Sequence, residues 1–162
     1  MTCDADDRFS NPVEARKKAM DYLARRDYGH TELQMKLQRA GFEADTAKPV
    51  VDQLAREGLQ NDKRFVESFM RSRVSQGKGP VRIRLELRQH GIDEALVDES
   101  LDASLDVSEE NWSDLAAAVR ARKFGKELPR DFREKARQMR FLQYRGFESA
   151  HIQRAVGGTD EE

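Results

Sequence analysis

Cationic side chains are the part of this sequence best equipped for chemistry. Between Arg71 and Arg88 lie Arg71, Arg73, Lys78, Arg82, Arg84 and Arg88, against the single acid Glu86. Guanidinium groups bind carboxylates or phosphates bidentately, so arginine at this density points to an anionic partner. Arg84 and Arg88, four apart, share a face if the segment is helical. Arg25, Arg26 and Lys36 near the start, and Arg140 and Arg145 near the end, complete the set expected to meet a partner.

Other chemistries find no support. His30, His90 and His151 are widely separated, and none has a Cys or His at metal-ligand spacing. His30 reads as a helix-start residue, and the other two as exposed positions. "GKGP" at 77–80 lacks the G-x-x-x-x-G-K-[ST] frame of a phosphate loop. Glu109-Glu110 falls in an acidic run with no apolar setting to raise a carboxyl pKa. Trp112 and the phenylalanines fall at core spacings. No catalytic residue, metal site or cofactor is expected, which leaves a binding protein.

The net charge of −1 conceals strong segregation. Arg16–Arg39 holds seven basic residues against three acidic, and Lys63–Arg88 eight against two. Residues 91–119 then hold nine acids and no base, and Arg120–Arg145 ten basic residues against three acidic. Blocks of this size suit a polyanionic or acidic partner. The alternative is that the acidic run pairs internally with its basic neighbours.

What element carries these arginines? From Val81 to Leu87 apolar and polar residues alternate, the period of a strand, yet Gly79-Pro80 and Gly91-Ile92 punctuate it as a helix. The segment recurs. "RIRLELRQHGI" at 82–92 matches "ELQMKLQRAGF" at 32–42 after a shift of fifty, and "RQMRFLQYRGF" at 137–147 is a third copy. The third copy breaks the alternation, which a helix absorbs and a strand would not. The segment is therefore expected to be a helix, with Ile83 and Leu87 in one core stripe and Val81 and Leu85 in a second. Pro80 suits the first helical position and Gly91 the position just past the end. Thr31 with Gln34 reads as a capping box.

Each copy sits between two further helical patterns: about 13–26 and 45–57, then 61–74 and 93–104, then 109–123 and 149–156. The expectation is an all-α protein of nine helices in three tandem three-helix modules with helix-turn-helix-like repeats, elongated by stacking. The modules are placed at 11–60, 61–107 and 108–158, with a disordered tail at 1–10 and an acidic tail at 159–162. A charged fraction of 36% with only 7% aromatics fits such modest helical cores. No apolar run approaches the roughly 20 residues of a membrane helix, and the acidic N-terminus lacks a signal's apolar segment. Cys3 has no partner for an internal disulfide, so a cytoplasmic protein is expected.

The arrangement resembles the RecX family of bacterial regulatory proteins. The clearest likeness runs from 61 to 92, through Arg64-Phe65, the Gly77-x-Gly79-Pro80 turn and Gly91-Ile92; the family often has an aromatic where Lys78 stands. "AMDYLARRDYGHTELQMKLQRAGF" and "RFLQYRGF" fit as well, so the likeness spans roughly 11–158. It implies a monomeric protein of tandem three-helix modules that binds the RecA–DNA filament. Such proteins inhibit RecA's ATPase, strand-exchange and co-protease activities, and so act as negative modulators of recombination, DNA repair and the SOS response without an active site. Two alternatives remain on the residues alone. One is a sequence-independent binder of single- or double-stranded DNA acting through its basic helices without RecA; the other is an adaptor with purely protein partners.

Overall fold

A computed structural model describes residues 4–103 and 109–157, and the described residues are helical without a strand. Ten helices follow one another: α1 (Asp4–Phe9), α2 (Pro12–Arg25), α3 (His30–Arg39), α4 (Ala44–Arg56), α5 (Asp62–Ser75), α6 (Pro80–Gln89), α7 (Glu94–Ala103), α8 (Glu109–Phe124), α9 (Phe132–Tyr144) and α10 (Ser149–Ala155). Nine are those expected from the pattern. The acidic 159–162 tail and Cys3 lie outside the described residues.

Helix α1 stands where a disordered tail was expected. Its Phe9 supplies the reason, because the ring packs edge-on against Phe42 at 5.5 Å. The Glu43 amide donates to the Phe9 carbonyl at 3.1 Å, and Asn11 then caps α2 through Val13 N. One apolar residue with a backbone hydrogen bond outweighs the acidic composition around it.

The chain divides into two compact units. One gathers residues up to Ser68 with Arg88–Asp93; the other gathers Phe69–Leu87 with the residues from Glu94 onward. The boundary thus passes through α5 and α6. The first unit's core closes α2, α3 and α4 around Ala15, Ala19, Leu33, Leu37, Val51 and Leu54. In the second unit α8 packs on α9 and α10, with Trp112, Ala116, Leu142, Phe147, Ile152 and Val156 buried.

The fifty-residue repeat is repeated in solvent exposure as well as in sequence. Positions 31–50 and 81–100 carry the same pattern of buried, half-buried and exposed residues throughout. That identity corrects one expectation. Ile83 and Leu87 are fully buried, whereas Val81 and Leu85 remain 51% and 50% exposed, and Met35, the partner of Leu85 in the first repeat, 45%. The alternation is therefore one core stripe plus an uncovered apolar row, not two core stripes.

The third repeat departs from the others at its centre. Gln138 occupies the place of Leu33 and Ile83 and is just as buried. Its Oε1 accepts from Nη1 of the equally buried Arg120 at 3.2 Å, while Arg120 also donates to the carbonyls of Glu127 and Lys126. A buried guanidinium needs such acceptors. His151, expected at the surface, is buried too, its Nδ1 accepting from the Glu148 amide at 3.4 Å. His90 is half-buried against the Phe65 ring. His30 does begin α3, and its Nε2 makes a 2.7 Å hydrogen bond with Asp52.

Candidate functional site

The "GKGP" segment is a joint. Gly79 N donates to the Arg145 carbonyl and Val81 N to the Gly146 carbonyl, both at 2.9 Å, so the start of α6 is stitched to the turn that ends α9. Backbones this close leave no room for side chains. A Cβ on Gly79 would lie 2.5 Å from Gly146 O, and one on Gly146 2.3 Å from Arg82 Cβ. Gly77, with φ +79, brings the loop against Val119. Pro80 takes the first position of α6, as expected, and is buried.

The first unit contains a looser contact at the corresponding glycines, made to side chains. Gly29 abuts Phe65 and Ile92, and Gly91, with φ +74, meets Thr31. Gly29, not Thr31, caps α3: Glu32 reaches back to its amide at 3.3 Å, correcting the capping box placed at Thr31 and Gln34. Arg64 completes this contact by binding Asp27 at 2.8 Å and the carbonyls of Gly58 and Leu59. Phe65 is 3% exposed. Thus Arg64, Phe65, Gly77, Gly79, Pro80 and Gly91 hold the repeats in register.

The joint in the second unit shapes a cleft of about 360 Å³ lined by Gln76, Lys78, Arg82, Tyr144 and Arg145. Glu86 is its counter-ion. It accepts from Arg73 Nε at 2.7 Å and Arg82 Nε at 3.0 Å, with Lys78 Nζ at 3.8 Å. Burial pushes the Glu86 carboxyl up, but the hydrogen bonds from Arg73 and Arg82 outweigh it and hold the group below its ordinary value. Arg82 is raised, chiefly by its bond to Glu86. Arg145 Nη1 donates to the Gln76 carbonyl at 2.9 Å. At the rim the Tyr144 ring is 74% exposed, with the Arg82 guanidinium 5.7 Å from its centroid.

Lys78, Arg82 and Arg145, with Arg73 beside them, are thus brought together. The other expected cations are dispersed. Arg84 is tied to Asp98 and stands 3.6 Å from Glu94 on α7, so part of the acidic run does pair internally. Arg26 binds Glu32 at 2.8 Å and lies over the Tyr28 ring, and Lys36 lies over Tyr22. Arg88 is exposed, as are Arg25, Arg71 and Arg140, and these last three form no ion pair among the described residues. Arg140 borders a second concavity of about 550 Å³ along one face of α9, where Phe132 is 86% exposed.

Three residues of the cleft, Gln76, Glu86 and Tyr144, escaped sequence reasoning. Glu86 is the lone acid between Arg71 and Arg88, which was the available signal. Tyr144 occupies the position of Arg39 and Gln89 in the other repeats, and that change of type was the only mark it carried.

The fold and this site define a helical-repeat protein whose modules interlock through glycine turns and present an undercompensated basic cleft. Comparison with known proteins gives the family. Residues 15–54, 61–101 and 109–156 match the RecX first, second and third three-helix domains respectively. The chain is 44% identical over 152 residues to the regulatory protein RecX of Pseudomonas entomophila, covering 94% of this chain and 96% of that one. Against RecX of Halorhodospira halophila identity is 45% over 148 residues, covering 91% and 89%. The crystal structure of RecX from Lactobacillus salivarius shares the fold, with a TM-score of 0.73 at 22% identity over 94% of this chain and 96% of that one. The chain belongs to the RecX family of regulatory proteins. Among the described residues no helix is long and apolar enough to cross a membrane.

Proposed function

We propose that this chain binds the RecA–DNA filament and restrains RecA, lowering its ATPase, strand-exchange and co-protease activities and with them recombination and the SOS response. The observation that carries this reading is the likeness to regulatory RecX proteins across 94% of the chain, with all three domains in order. The modules 11–60, 61–107 and 108–158 act as successive binding units of a cytoplasmic monomer, by contact alone and without catalysis. Arg25, Arg71 and Arg140, unpaired among the described residues, are the cations with least to lose on meeting a partner. Co-sedimentation with RecA filaments assembled on single-stranded DNA tests the proposal. Recovery in the pellet with filaments, and not with RecA lacking DNA, is expected; equal recovery without filaments overturns it.

A second reading, direct DNA binding through the basic helices without RecA, is favoured by one feature, the cleft beside Tyr144. Titration of RecA's ATPase beside fluorescence anisotropy of a labelled oligonucleotide without RecA separates the two: DNA binding with no effect on RecA supports the second reading alone.

A further inference from the structure

We propose that the cleft lined by Lys78, Arg82, Tyr144 and Arg145 is a nucleotide subsite for single-stranded DNA, with backbone phosphate on the cations and one base stacked on Tyr144. The subsite rests on the filament reading and names the strand touched within it.

Charge comes first. Arg73, Lys78 and Arg82 converge on one carboxylate, Glu86, and Arg145 lines the same cleft without an acid of its own among the described residues, so the cluster is left strongly positive. Lys78 is too far from Glu86, at 3.8 Å, for a hydrogen bond, and its three donors stay available. Arg145 spends one donor on a neutral carbonyl and keeps its full charge. Lys78 and Arg82 are held in place rather than waving in solvent, their side chains 25% and 37% exposed. Such preorganisation lowers the entropy lost on binding.

The ring selects among anions. An acidic peptide would satisfy the cations and leave Tyr144 idle, though it is among the most exposed large hydrophobic side chains of the described residues. A nucleotide uses both, because every base offers a face that stacks on an aromatic ring regardless of sequence. A duplex does not, since its bases already stack on one another. The combination of cationic groove and single stacking platform is therefore that of a single-strand binder.

The test uses the full chain, fluorescein-labelled oligo-dT and no RecA, read by anisotropy at low salt, with far-ultraviolet circular dichroism to confirm that each variant folds. Tyr144→Ala is expected to weaken binding roughly 5- to 150-fold, the equivalent of about 1–3 kcal/mol per stacked base. Tyr144→Phe keeps the ring and should bind like the parent. Lys78→Gln should reduce the log–log salt slope by about 0.7. The subsite is overturned if the parent does not bind oligo-dT, if Tyr144→Ala binds as the parent does, or if poly-glutamate at equal charge displaces the DNA as well as unlabelled oligo-dT. A parallel titration of RecA's ATPase keeps the two ideas apart. Inhibition without Tyr144-dependent DNA binding overturns the subsite alone; Tyr144-dependent binding without inhibition overturns the filament reading alone.

Discussion

Replacing Gly79 with alanine probes the joint between the start of α6 and the end of α9. The new Cβ would stand 2.5 Å from Gly146 O, 2.6 Å from Gly146 C and 2.7 Å from Phe147 N. All three are backbone atoms, so no side chain can swing aside. Ordinary contact begins near 3.4 Å, and the turn would have to retreat by about 0.9 Å. Both 2.9 Å hydrogen bonds of the joint would then exceed bonding distance. Overpacking costs about 1–3 kcal/mol and each lost hydrogen bond about 0.5–1.5, against roughly 0.4–1 kcal/mol gained by stiffening the unfolded chain. A net loss of about 1–5.5 kcal/mol follows, or roughly 3–16 °C in melting temperature for a chain of this length. Thermal melts followed at 222 nm measure it. Gly125→Ala is the comparator. Its Cβ meets open space, and only the φ of +96 penalises it, by about 1–2 kcal/mol. The reasoning is refuted if Gly79→Ala melts within about 0.5 kcal/mol of the parent, or no lower than Gly125→Ala.

Three further outcomes follow from named contacts. Gln138→Leu restores the residue type of the other repeats but strands the buried Arg120, so urea melts should show a loss of about 1–3 kcal/mol despite the added apolar volume; a gain would contradict this. Arg84→Glu faces Asp98 and Glu94 and should melt lower by up to about 1 kcal/mol, whereas Arg71→Glu should leave the melt unchanged, and equal effects would show that the Arg84 pairing is idle. The Glu86 carboxyl is held below its ordinary value, so its contribution is present above about pH 4.5 and lost as pH falls through the lowered folded value. Glu86→Gln should flatten that part of the acid-denaturation profile, and an identical profile would remove Glu86 from it.

The helices were legible because their periodicity and glycine punctuation are local. Three copies of one motif settled a segment that alternation alone would have made a strand. The tail helix α1 was illegible because its stability resides in a contact between Phe9 and Phe42, distant in sequence. The exposure of Val81 and Leu85 failed for a related reason: apolar type shows which residues can be buried, not which ones find a neighbour. The glycines of 77–80 were recognised as a turn, but their closeness to Gly146 depends on a segment in another repeat. Cation type and block position named Lys78, Arg82 and Arg145 among many candidate cations, but nothing local set Arg145 of the third repeat beside the other two. Arg84 turns instead to Asp98 and Glu94 on α7, and such a choice of partner is a property of three dimensions. Tyr144 shows the limit most plainly, since an aromatic at a helix end reads as core until its exposure is known.

RecA's ATP hydrolysis on single-stranded DNA, titrated with this protein, tests the regulatory reading most directly. The hydrolysis rate should fall progressively with added protein and level off at or below one chain per RecA subunit, while the protein alone hydrolyses nothing. An unchanged rate across the titration, with the protein folded by circular dichroism, would contradict the account.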